Sequence, residues 1–254
     1  FQRALDDALE VFTKRAKERK EVLDDLRGNI KEQPQVFKKI RTNLYVCPKP
    51  RLIEVPECMC DPGSDCGDDC LNRIMMIECN PKSCPAGSTC TNNRLLKHRY
   101  PKLKVWKTES AGFGLRVDEP LEEGNLVCEY IGEVIDEEEC QARLIKQEKA
   151  GTVSFYILAL DSGMYIDARL KASVARFANH SCEPNCNVHK WNVNGLMKIG
   201  IFANRAINPG EELTFDYQLD VNGREKMKVC MCGAPSCRGF LGKKKSDIVQ
   251  IEDP

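Results

Sequence analysis

A chain of 254 residues with 42% hydrophobic side chains can build one large domain or two smaller ones, with a sizeable core. Its 38 basic and 38 acidic residues cancel, which excludes a global field for a nucleic acid or membrane surface and leaves only local charge to serve such contacts. No apolar run reaches the length of a membrane span and no signal-peptide pattern opens the chain; with Phe at residue 1, the sequence reads as an excised piece of a longer intracellular protein.

Residues 1–27 place Phe1, Leu5, Leu9, Phe12, Ala16, Val22, Leu23 and Leu26 near helical spacing between charges of both signs. This predicts an amphipathic helix, stopped at Gly28-Asn29, whose apolar stripe either packs on the main domain or binds a partner. Residues 37–56 are basic and then Pro-punctuated, an extended connector.

Fifteen cysteines follow an uneven distribution: Cys58, Cys60, Cys66, Cys70, Cys79, Cys84 and Cys90 in one polar, turn-rich stretch, and Cys230, Cys232 and Cys237 near the end. The close spacings and the odd total favour thiolates converging on zinc over a secreted disulfide framework. A segment with so little to bury needs a staple, and zinc supplies one. Two tetrahedral sites need eight ligands, so seven cysteines suffice only if one thiolate bridges both metals. All-sulfur coordination leaves no open position, so these zincs are structural.

Between Arg94 and Lys107 the chain carries Arg94, Lys97, Arg99, Lys102, Lys104 and Lys107 among His98, Tyr100 and Trp106, with no acidic residue. Such a stretch either tracks a phosphate backbone or is an ordinary solvated strand and loop. Residues 110–115, Ser-Ala-Gly-Phe-Gly-Leu, link two strand-like runs but lack the helix that a dinucleotide-binding fingerprint requires. Residues 127–134 predict one strand, residues 136–149 an amphipathic helix, and residues 154–160 and 165–167 two more strands around the Asp161-Ser162-Gly163 turn. Short strands with one inserted helix predict a mostly β (α+β) domain; without a βαβ alternation a doubly wound sheet is rejected.

The central stretch reads Arg176-Phe177-Ala178-Asn179-His180-Ser181-Cys182-Glu183-Pro184-Asn185-Cys186, then Lys190-Trp191-Asn192-Val193-Asn194-Gly195, then Glu212-Leu213-Thr214-Phe215-Asp216-Tyr217. Each piece alone is bland: a polar turn, a hairpin turn, part of an edge strand. In this order they resemble the catalytic core of SET-domain protein lysine methyltransferases. The seven earlier cysteines resemble the AWS ("associated with SET") region, and with Lys190-Trp191-x-Val193-Asn194-Gly195 they point to the NSD- and Ash-like class acting on histone H3 lysine 36. The histone H3 lysine 9 enzymes carry nine cysteines there. The chain departs from the family at Ala172-Ser173, where Gly-Asn is usual, and at Asn187-Val188-His189, where Glu-Thr-Gln is usual.

The resemblance implies a SET pseudoknot fold of small sheets, flanked by zinc-stapled AWS and post-SET segments and the N-terminal helix. Its divisions are residues 1–36 (helix and linker), 37–102 (AWS region with two zincs), 103–220 (SET catalytic domain), 221–245 (post-SET zinc segment) and 246–254 (tail). It assigns Cys58, Cys60, Cys66 and Cys70 to one zinc, Cys66, Cys79, Cys84 and Cys90 to a second with Cys66 shared, and Cys182, Cys230, Cys232 and Cys237 to a third. S-adenosylmethionine falls to Ala111, Gly112, Phe113, Ser154, Phe155, Tyr156, Arg176, Asn179, His180 and Met231. An aromatic lysine channel falls to Tyr130, Phe155, Phe215 and Tyr217, with Tyr217 the essential hydroxyl and Phe215 leaving room for di- or trimethylation.

The partners so implied are the histone H3 tail and the nucleosome, with DNA a candidate for the basic segment, in nuclear chromatin. Two other readings stay open: a zinc-stapled SET scaffold that binds chromatin without catalysis, and a methyltransferase for another histone lysine. Cys47, Cys128, Cys140 and Cys186 are left as buried free thiols. The loop at residues 220–228, beside Tyr217, is expected to fold over the channel until a nucleosome displaces it.

Overall fold

The computed structural model describes residues 36–108, 112–150, 156–218 and 229–241. The expected N-terminal helix, the loop at 220–228, and Ala111, Ser154 and Phe155 of the expected site lie outside the described residues.

In chain order the described elements are β1 (Lys38–Lys39), β2 (Leu44–Tyr45), the short helix α1 (Leu71–Ile74), β3 (Leu103–Lys107), β4 (Phe113–Val117), β5 (Leu126–Tyr130) and β6 (Glu133–Asp136). Helix α2 (Glu137–Lys149) follows, then β7 (Ile157–Asp161), β8 (Met164–Asp167), β9 (Lys171–Ala172), β10 (Asn179–His180), β11 (Cys186–Val193), β12 (Leu196–Ala203) and β13 (Thr214–Phe215). They form a four-stranded sheet in the order β2-β6-β8-β7, a three-stranded sheet β11-β12-β5, and the pairs β3-β4, β1-β9 and β10-β13. The architecture is the mostly β, small-sheet type expected, and Leu115, Val117, Val127, Val134, Ile166, Ile199, Ile201 and Leu213 meet in its core.

Local chemistry accounts for several of these elements. Asn194 and Gly195 both adopt left-handed φ, 51° and 83°, and turn β11 back into β12 as a two-residue hairpin. Asp136 caps α2 by accepting the Glu139 amide at 2.9 Å, and three glutamates in the first turn suit the positive end of the helix. The single strand expected over residues 127–134 is two strands. The chain changes sheets at Ile131-Gly132, β5 pairing with β12 and β6 with β8, while the Gly132 amide donates to Asn43 Oδ1.

A buried charge cluster holds α2 on the four-stranded sheet. Arg143 donates to Glu133 and Asp167, both at 2.9 Å, while Arg169 reaches Asp167 at 2.6 Å and Lys171 reaches Glu133 at 2.7 Å. Burial alone would raise the Asp167 pKa, but Arg169 and Arg143 outweigh it and hold it below the ordinary 3.8. Its contribution is therefore present above that value and is lost as pH falls through the lower folded-state value. Asp167→Ala leaves the partly buried Arg169 guanidinium without its carboxylate and takes one of its partners from Arg143, and is expected to cost about 3 kcal/mol in denaturant unfolding. A loss within error of zero would show that these charges are solvated well enough to need no partner.

The cysteine-rich segment is seated on the three-stranded sheet by backbone and carboxylate contacts. Glu78 N donates to Asn192 O and Asn192 N to Met76 O, both at 2.9 Å. The buried Glu78 carboxylate accepts the Leu95 and Leu96 amides at 2.6 and 2.8 Å. Below it, buried Glu129 accepts Tyr100 Oη and Lys198 Nζ at 3.2 and 3.1 Å.

Candidate functional site

Sulfur geometry comes first, because it positions everything around it. All fifteen cysteines are free thiols. Cys58, Cys60, Cys66 and Cys70 place their sulfurs within 4.8 Å of one another, and so do Cys58, Cys66, Cys79 and Cys84. Sulfur separations of 3.8 Å (Cys58 to Cys66), 3.7 Å (Cys58 to Cys84) and 3.5 Å (Cys66 to Cys84) are close to the roughly 3.8 Å edge of a zinc–thiolate tetrahedron with bonds of about 2.3 Å. The donor set fits zinc. Cys58 and Cys66 belong to both quartets, as a bridging thiolate must. The second quartet contains Cys58 where the resemblance placed Cys90, which lies buried in the same cluster. Asn92 and Asn72 direct their Nδ2 atoms at Cys79 Sγ, 3.3 and 3.8 Å away, the kind of outer hydrogen bond that supports a metal-bound thiolate.

The third quartet, Cys182, Cys230, Cys232 and Cys237, joins the His180 segment to the chain end, with Cys182 and Cys230 sulfurs 3.7 Å apart. Backbone amides surround it: Arg238 N donates to Cys182 Sγ at 3.4 Å and Cys182 N to Cys232 Sγ at 3.5 Å. Burial opposes the thiolate at Cys232, but the Cys182 and Ala234 amides prevail and bring its pKa down to about 7. Met231 sits half-buried between two of these ligands.

The parallel pair β10-β13 sets Asn179 opposite Thr214 and His180 opposite Phe215, so segments far apart in the chain share one site. Tyr217 donates its hydroxyl to Ala178 O at 3.1 Å, with its ring 4.9 Å from Phe215 and 5.4 Å from His180. Tyr130 donates to Tyr156 O at 2.9 Å. Burial pushes both phenols up, so both stay protonated. His180 Nδ1 accepts the Tyr217 amide at 3.2 Å, leaving Nε2 to face Cys182 Sγ at 3.4 Å. Burial lowers the His180 pKa and Arg238 adds to that, against a smaller pull from Asp216.

Arg176 is buried, with its guanidinium 4.2 Å from the Tyr156 ring centre and 5.0 Å from that of Phe177, donating to Ala168 O and Arg169 O. Its Nη1 is buried without a hydrogen-bond partner among the described residues. Asn179 spends its Nδ2 on Phe113 O at 3.2 Å and Glu212 Oε1 at 2.8 Å, and its Oδ1 makes no hydrogen bond among the described residues. An unfilled buried donor and a free acceptor fit a ligand that carries both a carboxylate and an ammonium, as the amino-acid end of S-adenosylmethionine does.

Phe113 packs edge-on against Phe177 at 6.5 Å, and Gly112 turns the chain just before it at φ 78°. Sequence reasoning passed over Glu212, and also Asp216, whose bidentate pair with Arg238 at 2.9 and 3.0 Å straps the third cysteine quartet to the segment after β13 that carries Tyr217. The charge of Arg238 outside any helix or repeat gave no signal of that pairing.

The departures from the family pattern are accommodated locally. Ser173 Oγ donates to Glu129 O at 2.9 Å and caps the 3-10 turn leading to Arg176. His189 stacks on Phe202 at 5.2 Å. In the basic segment, Arg94 is committed to Gly124 O and the Phe202 ring, and Lys104 pairs with Asp118 at 2.5 Å. Lys97, Arg99, Lys102 and Lys107 remain exposed. Of the five cysteines outside these quartets, Cys90, Cys128, Cys140 and Cys186 are buried and Cys47 is half-buried.

Two family models match the chain: a SET domain over residues 112–218 and an AWS domain over residues 61–98. The human "Histone-lysine N-methyltransferase, H3 lysine-36 specific" is 40% identical over the whole chain, which covers 10% of that protein. Mouse "Histone-lysine N-methyltransferase NSD3" is 42% identical over 95% of the chain and 17% of its own length. The Kluyveromyces lactis "Histone-lysine N-methyltransferase, H3 lysine-36 specific" is 49% identical over 70% of the chain and 26% of its own length. The chain thus spans between a tenth and about a quarter of these relatives.

Proposed function

Because this chain belongs to the SET-domain family, in the class that also carries an AWS domain, we propose that it is an S-adenosylmethionine-dependent protein lysine N-methyltransferase acting on histone H3, at lysine 36 in nucleosomes. The observation that carries the reading is Tyr217, whose protonated hydroxyl is held by Ala178 O between the Phe215 and His180 rings. With its hydrogen committed to a carbonyl, the phenol oxygen keeps lone pairs to accept a hydrogen from an incoming amine and aim its own lone pair.

S-adenosylmethionine would supply the methyl group from its sulfonium, held by Arg176, Asn179 and His180, with Gly112, Phe113, Tyr156 and Met231 around it. A free lysine amine titrates near about 10.4 and is almost all ammonium at neutral pH. Aromatic walls from Tyr130, Phe215 and Tyr217 desolvate it and favour the neutral nucleophile. Their faces also accommodate the methylated ammonium as it forms. Phe215 offers no hydroxyl to anchor a water there, which supports di- or trimethylation. The three cysteine quartets hold zinc as structure, and the third fixes the Tyr217 segment through Arg238.

The exposed Lys97, Arg99, Lys102 and Lys107 support contact with nucleosomal DNA, and a chromatin substrate supports a nuclear location. A scaffold without catalysis would have no need of a committed Tyr217 hydroxyl. Methyl transfer from labelled S-adenosylmethionine to recombinant nucleosomes tests the reading. We expect signal on wild-type nucleosomes, loss when histone H3 lysine 36 is replaced, and a steeper decline with salt than for a variant with the four exposed basic residues changed to serine. Transfer that survives the histone substitution would move the target to another lysine.

A further inference from the structure

We infer that Glu212 is a positioning residue for the cofactor, holding the Asn179 side-chain amide so that its carbonyl oxygen, not its amino group, faces a cationic donor, the cofactor's ammonium. The inference rests on the proposed function and deepens it. Asn179 Nδ2 has two hydrogens and two partners, Phe113 O at 3.2 Å and Glu212 Oε1 at 2.8 Å. A backbone carbonyl and a carboxylate only accept, so turning the amide over would set oxygen against oxygen at both contacts. The Oδ1 atom is thereby left as an acceptor with a fixed direction.

The fold invests in placing this carboxylate. Leu213 N donates to Leu115 O at 2.7 Å, and Glu212 bridges Arg116 of β4, so its backbone is pinned between β4 and β13. At Gly114, whose φ is not left-handed, an added Cβ would lie 2.6 Å from Glu212 Oε1, 2.7 Å from Thr108 Cγ2 and 2.9 Å from Trp106 Nε1. The second glycine of the Gly112-Phe113-Gly114 loop is therefore required for the space that Glu212 occupies. Glu212 forms no ion pair among the described residues, and its charge is offset only by the Asn179 hydrogen bond. With both Nδ2 hydrogens spent on acceptors, Asn179 presents only an acceptor oxygen, which suits the N–H donors of the cofactor's ammonium.

Calorimetric titration with two probes separates this role from a structural one. S-adenosylhomocysteine keeps the ammonium and carboxylate; 5′-methylthioadenosine keeps the adenosine and lacks both. In Glu212→Leu, S-adenosylhomocysteine is expected to weaken about tenfold or more while methylthioadenosine is unchanged. Glu212→Gln retains an acceptor oxygen and is expected to stay within about threefold of wild type for both. Gly114→Ala, which displaces the carboxylate without removing it, is expected to follow Glu212→Leu.

Zinc content and thermal midpoint, measured on each variant, confirm that the fold is kept. Equal weakening of both probes, no weakening of either, or a Gln variant as impaired as Leu would overturn the inference while leaving the proposed function intact. A wild-type protein that binds neither probe would overturn both.

Discussion

Replacing Cys66 with serine is expected to remove two zinc ions at once, taking metal content from three per chain to one. Cys66, like Cys58, belongs to both the Cys58–Cys60–Cys66–Cys70 set and the Cys58–Cys66–Cys79–Cys84 set, and its sulfur lies 3.8 Å from Cys58 Sγ and 3.5 Å from Cys84 Sγ. Structural zinc contributes on the order of 10 kcal/mol to a small metallo-domain, more than most domains have in reserve. Nothing else in the segment could replace it: the buried cluster there is the cysteines and Ala86, while Met59, Leu71, Ile74 and Met75 face outward. The AWS segment should therefore become protease-sensitive and release its contacts to Asn192, Leu95 and Leu96. The third site, which shares no ligand with the other two, should keep its metal. Cys140→Ser, a buried thiol outside every quartet, is the control and should retain all three. Metal analysis decides the matter, since a Cys66→Ser protein that still holds three zincs would refute the bridged arrangement.

That prediction marks the limit of what cysteine spacing reveals. The spacing pointed to a cluster of metal-binding cysteines, and ligand counting required sharing between two sites. It could not say which sulfurs meet, and Cys58 sits in the second quartet where Cys90 was expected. Elements fixed by their own residues were legible in the same way: α2 with its Asp136 cap, and the Asn194-Gly195 hairpin.

Features settled by distant partners were not. The strand expected over 127–134 divides because β5 and β6 are claimed by different sheets. Arg94 and Lys104 read as part of a basic stripe, yet a carbonyl with an aromatic face takes one and an aspartate takes the other. Glu212 passed as a strand residue because its role depends on Asn179 and on the empty space at Gly114. The residues around Tyr217 became legible only as an ordered set, since the parallel pairing of β10 with β13 that unites them has no local signature.

Tyr217→Phe is expected to lower kcat for methyl transfer by about 100-fold or more while leaving the fold in place. The ring is held on two sides, by Phe215 at 4.9 Å and His180 at 5.4 Å, and Phe preserves both contacts. The lost hydroxyl leaves Ala178 O without that donor, a cost of about 1 kcal/mol, too small to unfold the domain. Positioned polar groups at a reacting centre are worth far more to rate than to stability, typically about 100- to 1000-fold in kcat. The affinity for S-adenosylhomocysteine should not change, because Arg176, Asn179 and His180 are untouched.

The pH profile provides a second handle on the same residue. Burial holds the Tyr217 phenol above its ordinary value of 10, so its ionisation should not limit the wild-type rate below that pH. Any rise in rate with pH over the neutral range then reports deprotonation of the substrate amine, and the variant should keep that rise on a lower baseline. A Tyr217→Phe enzyme with wild-type kcat would remove the hydroxyl from the mechanism and leave the channel with a purely steric and desolvating role.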